Sequence, residues 1–563
     1  MCTSPQLPQA VADTLSASST DHATMLKGRI ENKILCSPYP KLSVPVCSVY
    51  TAVKAFLSVA SSKLAAVDYT TSYTRQELLH ALERYAAGFQ SHGLKLGDHV
   101  CIHMRNSVDS FVTLFGLIFA GATVILAKTS LTHRELMYQM TDGEAVYIVT
   151  DPPNADKVRK VCDEMKMPDK ARFVLGEAPG FISILSFALI DPKQFREVPV
   201  PDPKNTIAGL SYTSGTTGLP KGVEVTHFSF VANMVQSKGV TGSDETDVFL
   251  AWNPITHMSG FLFTMLGACI GSTCVIVSPA LTYNQFIDVC NKYQVSALFS
   301  FPNRLQNLVN EMLRTNTQLG QIRKLSIGGS QVTETLARGA LKVFPKLHNL
   351  RNFYGMTESC GLIAAPGLDE INFEDLGIPS PNVEIKVLSP DKRELMGPNQ
   401  RGEILFRMPS VMRGYYKKPD ETARTLLKDG WCNSGDMGYY NDNGRLYFSE
   451  RLKELIKCMD NQVVPAELEN LILSQCPAVA EVSVLGLRHS EYGEVAAAFV
   501  ILHENQKGKV TEDDIKKIVS DNLAKHKQLY GGVYFPPCLP HNDTGKVLKA
   551  NIRENLAFYI AHA

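Results

Sequence analysis

Apolar residues recur at helical spacing between Arg75 and His92, where Leu78, Leu82, Tyr85, Ala86 and Phe89 fall on one face. Thr74 and Glu77 stand at capping-box spacing ahead of that face and Gly93 follows it, so the pattern predicts a helix that starts and stops there. The next apolar run, "HVCIHM", reads as a buried strand. "DSFVTLFGLIFAGATVILA" predicts helix, glycine turn and strand, and "SGFLFTMLGACIGSTCVIVS" repeats that layout down to the Gly-x-Thr before the strand. The pair reads as a degenerate repeat of one α/β unit. After the strand-like "SALFSFP", Leu305, Leu308, Val309, Met312 and Leu313 make another helical face. Apolar strands alternating with such helices predict α/β layers with largely parallel sheets.

From about Gly377 to Phe448 the texture changes. Short alternating runs such as "VEIKVL" and "GEILFRM" sit among Pro, Gly, Asp and Asn turns, which predicts a small antiparallel or barrel-like segment over 377–448. Past "SERLKEL" the alternation resumes, with helices expected at Ala466 to Ser474 and Glu512 to Ala524 and strands at "VAEVSVLGL" and "VAAAFVIL". The organisation expected is a large N-terminal domain over 26–449, made of two related α/β subdomains and the β-rich segment, followed by a small α+β domain over 450–563. The first 25 residues are rich in Ser, Thr and Pro and are expected to be a disordered tail.

Composition narrows the classes. The chain has 563 residues and a formal net charge of zero, which gives no support for a nucleic-acid surface or a polybasic membrane patch. Thirteen cysteines without a CxxC pair point to free thiols in a reducing compartment rather than to a disulfide framework or a zinc site. The N-terminus lacks the basic and apolar regions of a secretory signal. The uncharged runs Phe111 to Ala127 and Phe261 to Val277 approach the length of a membrane span, but their glycines and β-branched ends fit helix, turn and strand better. No integral membrane segment is expected. A cytoplasmic location is expected, and the terminal Ala-His-Ala is unlike the Ser-Lys-Leu type of peroxisomal address, although a peroxisomal location stays open.

The candidate chemistry starts at "SYTSGTTGLPKGVEV", Ser211 to Val225. Its glycines allow tight turns and close approach of a ligand, and consecutive amides in such turns make an anion-binding concavity. Thr213, Ser214, Thr216 and Thr217 add hydroxyls and Lys221 adds a charge. A polyphosphate suits this set, while composition alone also fits a flexible Ser/Gly/Thr loop. The pattern is not a Walker A loop, since Lys221 follows Pro and precedes Gly.

The order of residues decides between these readings. The loop resembles the phosphate loop of the adenylate-forming superfamily, which includes acyl-CoA synthetases, 4-coumarate–CoA ligases, beetle luciferases and peptide-synthetase adenylation domains. "NFYGMTES", "RGEILFRMPSVMRGYYKKPDETART", "DGWCNSGDMGYYNDNGRLYFSERLKELIK" and "LPHNDTGKVLKANIR" resemble its later motifs, in the family's order and over nearly the whole chain. The texture is nearest to the coumarate-ligase and luciferase branch. The resemblance implies two steps: a carboxylate attacks the α-phosphate of ATP to give an acyl-adenylate and pyrophosphate, and a thiol, usually that of coenzyme A, then displaces AMP. The implied partners are a small-molecule carboxylic acid, ATP and CoA, with Mg²⁺.

By resemblance, Thr213, Ser214, Gly215, Thr216, Thr217, Gly218 and Lys221 hold the β- and γ-phosphates. Thr357 bonds the α-phosphate and Glu358 holds Mg²⁺. Tyr354 stacks on adenine, and Asp436 and Arg451 bind the ribose. Lys546 is the implied cation of adenylation, carried by the small domain, which would rotate about Glu450 and present Lys457 for the second step. His257 gates the acyl pocket.

Three departures stand out. The hinge position, usually Asp, is Glu450. Asp460 replaces a glycine of the loop that lines the pantetheine tunnel, which puts the thioester step in question. "GGSQV", with Gly328 and Gly329, and Phe353, where a glycine normally precedes Tyr354, imply a reshaped acyl pocket suited to small or flexible acids. The readings weighed are an acyl-CoA ligase, an adenylating enzyme with another acceptor such as oxygen or a carrier thiol, and a catalytically impaired binding homologue.

Overall fold

The computed structural model describes residues 27–563 except 214–218, 330–331, 369, 452–453, 459–460, 490–491, 524, 543–544, 546 and 562–563. The chain forms two compact units. Of the described residues, the first contains those within 27–385, 406–433 and 443–445, and the second those within 386–405, 434–442 and 446–561.

The first unit is built on two sheets. Helix α1 (Arg75–Ser91) carries the capping box expected of it, with both Thr74–Glu77 bonds formed. Strand β1 (His99–His103), helix α2 (Val108–Phe119), β2 (Thr123–Leu126) and β3 (Tyr147–Thr150) follow, then β4 (Arg172–Val174), β5 (Ile182–Ser183), β6 (Ile207–Thr213) and β7 (Lys221–Thr226). They form a sheet of order β7-β6-β2-β1-β3-β4-β5. All neighbours run parallel except β6 and β7, which are antiparallel and set Thr213 opposite Lys221.

The second sheet uses β8 (Val248–Ala251), β9 (Thr273–Ile276), β10 (Ala297–Ser300), β11 (Lys324–Gly328), β12 (Asn349–Met356) and β13 (Gly361–Ala365). Its order is Ile378–Pro379, β13, β12, β11, β10, β8, β9, Leu64–Val67 and Ser72–Thr74. The centre is parallel and the margins are antiparallel. Helices α3 (Met258–Ile270) and α4 (Pro302–Arg314) pack on it. Central strands buried on both faces explain why the sequence shows apolar runs there rather than alternation.

The repeated motif takes the same form twice, as α2 to β2 and α3 to β9. Phe115 of the first copy stacks on Phe261 of the second with ring centroids 5.4 Å apart, and both are fully buried. Each such side chain contributes roughly 1.5–3 kcal/mol of burial. Leu313 corrects one expectation: it lies in the last turn of α4 and is 45% exposed, while Leu305, Val309 and Met312 are buried. Among the described residues no helix is long and apolar enough to cross a membrane.

The β-rich segment expected over 377–448 forms strands at Glu384–Leu388 and Gly402–Arg407, followed in the same sheet by β14 (Cys432–Tyr440) and β15 (Leu446–Arg451), which pair antiparallel and set Asp436 opposite Arg451. Beyond them lie β16 (Ile456–Cys458), β17 (Asn461–Val463), helix α5 (Pro465–Gln475), β18 (Val479–His489), β19 (Gly493–Leu502), helix α6 (Glu512–Asn522) and β20 (Val533–Tyr534). The sheet order is β17-β16-β19-β18, with β20 beside β19. Helices α5 and α6 cover it through Leu468, Ile472, Ile515 and Val519.

Candidate active site

Ligands of open parallel sheets bind beyond the C-terminal ends of the strands, and the first unit gathers its candidate residues there. Strand β12 ends in Phe353, Tyr354, Gly355 and Met356, then turns through a tight 3-10 segment, Thr357–Ser359, and re-enters as β13. Gly355 fits the turn because a Cβ there would lie 2.7 Å from the Gly361 carbonyl oxygen. Cys360 takes a left-handed conformation with φ 47° to complete it. A crossing segment clamps the turn from outside: Ser410 Oγ donates to Ser359 O at 2.9 Å, and Met412 N donates to Glu358 O at 2.8 Å.

These bonds fix Glu358, whose carboxylate is buried. The Tyr415 hydroxyl donates to its Oε1 at 2.8 Å. Burial, with the Glu358 charge beside it, pushes the Tyr415 phenol well above its ordinary pKa, so it remains a donor. Tyr415 is held in turn because its segment runs along β7, with Glu224 N donating to Gly414 O at 2.9 Å and Tyr416 N donating to Gly222 O at 2.8 Å. Thr422 Oγ1 accepts from Tyr415 N at 2.9 Å.

Lys221 opens β7. Its ammonium lies 5.3 Å from the centroid of the Tyr415 ring and 2.5 Å from Glu421 Oε2. Glu421 also receives Arg424, at 3.0 Å on its other oxygen. A carboxylate, a phenol, a lysine and a second carboxylate therefore stand in sequence. Sequence reasoning named the first and third of these and missed Tyr415 and Glu421, although both lie inside the segment "GYYKKPDET".

His257 caps the N-terminus of α3, its Nδ1 accepting from Ser259 N at 3.3 Å and lying 2.8 Å from Ser259 Oγ. Burial, with Lys128 and Arg304 nearby, lowers its pKa to about 3, so the ring is neutral. Its edge meets Phe301 at 5.6 Å between centroids. Gly329, at φ +88°, lets the same phenylalanine approach, since a Cβ there would lie 2.8 Å from the ring. Gly328 does the same for its neighbours: a Cβ would lie 2.9 Å from Phe353 O and 3.3 Å from the Phe299 ring. Phe299 and Phe353 stack at 6.2 Å.

Beyond that stack a cavity of about 440 Å³, including its open mouth, lies between α3 and the sheet. Phe249, Phe263, Leu266, Phe299 and Phe353 form its walls, and Thr241, Ser243, Ser326 and Lys324 supply polar groups. Lys324 is neutralised by Asp244 at 2.8 Å and Asp247 at 2.7 Å. None of the wall residues except Phe353 stood out in the sequence.

In the second unit Asp436 is buried, and its amide donates to Ser434 Oγ at 3.0 Å, in a strand turned at Gly435 with φ +68°. Glu450 is buried and accepts from Ala466 N, in the first turn of α5, at 3.0 Å. Lys549 follows the "GK" motif by three residues and lies 3.0 Å from Glu469 and 3.6 Å from Glu454. Burial works to lower its pKa, but Glu469, Glu450 and Glu454 outweigh it and raise it. Ser214, Gly215, Thr216, Thr217, Gly218, Asp460 and Lys546 lie outside the described residues, and Arg451 and Lys457 are described by backbone alone.

Among the described residues no group of three or more His, Cys, Asp or Glu side chains is placed to hold a metal ion. A single buried carboxylate with one oxygen engaged by a phenol still suits Mg²⁺, which binds readily through one or two carboxylates plus substrate phosphates.

The model for "AMP-binding enzyme" matches residues 55–416 and that for "AMP-binding enzyme C-terminal domain" matches 467–546. A probable 4-coumarate–CoA ligase 2 of Dictyostelium discoideum is 27% identical over 552 residues, spanning 94% of this chain and 98% of that protein. Among solved structures, ATP-bound MatB from Rhodopseudomonas palustris superposes with a TM-score of 0.82 at 23% identity, over 92% of this chain and 100% of that one. The amide bond synthetase McbA from Marinactinospora thermotolerans gives 0.78 at 20%, over 90% and 99%. The mixed α/β fold of a large N-terminal and a small C-terminal domain is thus shared with both structures, and the chain belongs to the AMP-binding enzyme family of adenylate-forming ligases.

Proposed function

We propose that this enzyme activates a carboxylic acid with ATP, forming an acyl-adenylate and pyrophosphate, and then passes the acyl group to the thiol of coenzyme A. The observation that carries the reading is the array of Glu358, Tyr415 and Lys221 beyond the strand ends of the first unit. In the first step a carboxylate oxygen attacks the α-phosphorus and the bond to the β-phosphate oxygen breaks, the electron pair leaving with pyrophosphate. Little covalent help is required, and orientation and charge stabilisation supply the rate. Lys221 would take the β- and γ-phosphates and Thr357 an α-phosphate oxygen. Glu358 would hold Mg²⁺, which supplies charge neutralisation on the phosphates, and Tyr415 fixes the carboxylate for that task. Asp436 offers acceptors to the ribose hydroxyls, Tyr354 a ring to adenine, and Lys546 the cation that meets the developing charge.

The acid enters past neutral His257. The Phe299–Phe353 stack and the apolar walls behind it fit a slender, flexible acid better than a broad aromatic one. Coenzyme A as acceptor is supported by the naming of the Dictyostelium relative as a CoA ligase. A different acceptor is favoured by one feature, Asp460 in place of the tunnel glycine. A screen of carboxylic acids by pyrophosphate release, run with and without CoA, tests both points. Acyl-CoA formation with a slender acid is expected; pyrophosphate exchange without any thioester would transfer the second step to another acceptor.

A further inference from the structure

We propose that Glu421 is an exchangeable counter-ion of Lys221, one that holds the lysine in the nucleotide-free enzyme and yields it to the phosphates of ATP or pyrophosphate. The inference rests on the assignment of Lys221 to the polyphosphate. The Lys221 side chain is only 12% exposed, so its charge needs an anion at close range when no nucleotide is present. Glu421 supplies it at 2.5 Å. Glu358 is engaged elsewhere, on the hydroxyl of the same tyrosine whose ring faces the lysine.

The two supports of Lys221 respond differently to an arriving polyphosphate. The Tyr415 ring is neutral and can stay where it is. The Glu421 carboxylate carries charge of the same sign as the phosphates, and like charges around one ammonium repel. Glu421 is equipped to leave: a third of its side chain is exposed, and its other oxygen already holds Arg424, three residues further along the short helix Pro419–Thr425. The released carboxylate therefore keeps a cationic partner and access to water. Its pairing with Lys221 also holds its pKa below the ordinary glutamate value, so it is ionised and competes at any working pH.

The consequence is a sign that a merely structural ion pair would not give. Removing the competitor should tighten polyphosphate binding, although it deletes a salt bridge. Calorimetric titration with magnesium pyrophosphate and with ATP, on full-length protein, reads this directly. The variant Glu421→Gln should bind about five-fold tighter, the size expected for a partly exposed pair near 1 kcal/mol. Lys221→Met should bind more weakly, and adding Glu421→Gln to it should bring no gain, because the coupling runs through the lysine. Glu421→Asp keeps the charge but withdraws it by one methylene, and should also tighten binding; thermal melting of each variant confirms that it is folded. Weaker or unchanged binding in both Glu421 variants overturns the proposal, as does a gain that persists in the Lys221→Met background. If Lys221→Met alone leaves binding unchanged, it is the assignment of Lys221 to the phosphates that fails.

Discussion

Phe353 concentrates the question of specificity in one side chain. It stacks on Phe299, lines the cavity and sits against Gly328 at the end of the neighbouring strand. Replacing it by glycine should enlarge the cavity that its ring lines and widen the range of acids that support pyrophosphate release, with bulky aromatic acids gaining most. The profile of rates over an acid panel checks this, and an unchanged profile would remove the steric argument. Phe353 itself was legible in the sequence because it interrupts a motif at a position of known geometry. Its partners Phe299 and Phe263 were not, since nothing in a buried apolar run says which face of a strand or helix will meet it. Tyr415 illustrates a different limit. Its hydroxyl reaches Glu358 across 57 positions of sequence, and Lys221 reaches Glu421 across 200, so no local pattern joins them.

At the scale of elements, helix and strand placement was largely readable, because capping boxes and glycine turns are local. The Thr74–Glu77 box and the two helix–glycine–strand copies took the form expected. The site-bearing turns were readable as motifs, but the bonds that stiffen them come from elsewhere in the chain, as Ser410 and Met412 do for Glu358. Lys549 is the corresponding feature of the second unit. It lies at the start of the helix Lys549–Glu554, paired with Glu469 and Glu454 and sheltered from water. Removing one partner of a buried network leaves the others uncompensated, at a cost of about 3–5 kcal/mol. Lys549→Met should therefore destabilise the second unit by roughly that amount, read as a lower urea midpoint in probes of that unit. A midpoint equal to that of the unaltered protein would show that Glu469 and Glu454 do not depend on this cation.

At the scale of the molecule, protonation ties stability to pH. Burial lowers His103 and His227 to about 4 and His257 to about 3. The unfolded chain binds these protons near the ordinary value of about 6.5, before the folded chain does. Their contribution to stability is therefore complete above that value and is lost as the pH falls towards 4, at up to about 3 kcal/mol for each of the fully buried pair His103 and His227. The first unit should lose its near-ultraviolet circular dichroism at progressively lower urea between pH 6.5 and 4. A flat profile over that interval would mean that these rings are not sheltered as described. The neutrality of His257 over the same range also means that acid entry should show no pH step of its own near 6.5.

The central claim is that this enzyme makes an acyl-adenylate with a phosphate grip centred on Lys221 and Glu358 and a catalytic cation at Lys546. The most direct measurement is carboxylate-dependent exchange of labelled pyrophosphate into ATP by the full-length protein, over a broad panel of carboxylic acids. Exchange with at least one slender acid is predicted, together with its collapse by about a hundred-fold or more in Lys546→Ala, the scale of losing one charge-stabilising group. Absence of exchange with every acid, or exchange that survives the loss of Lys546, would contradict the account.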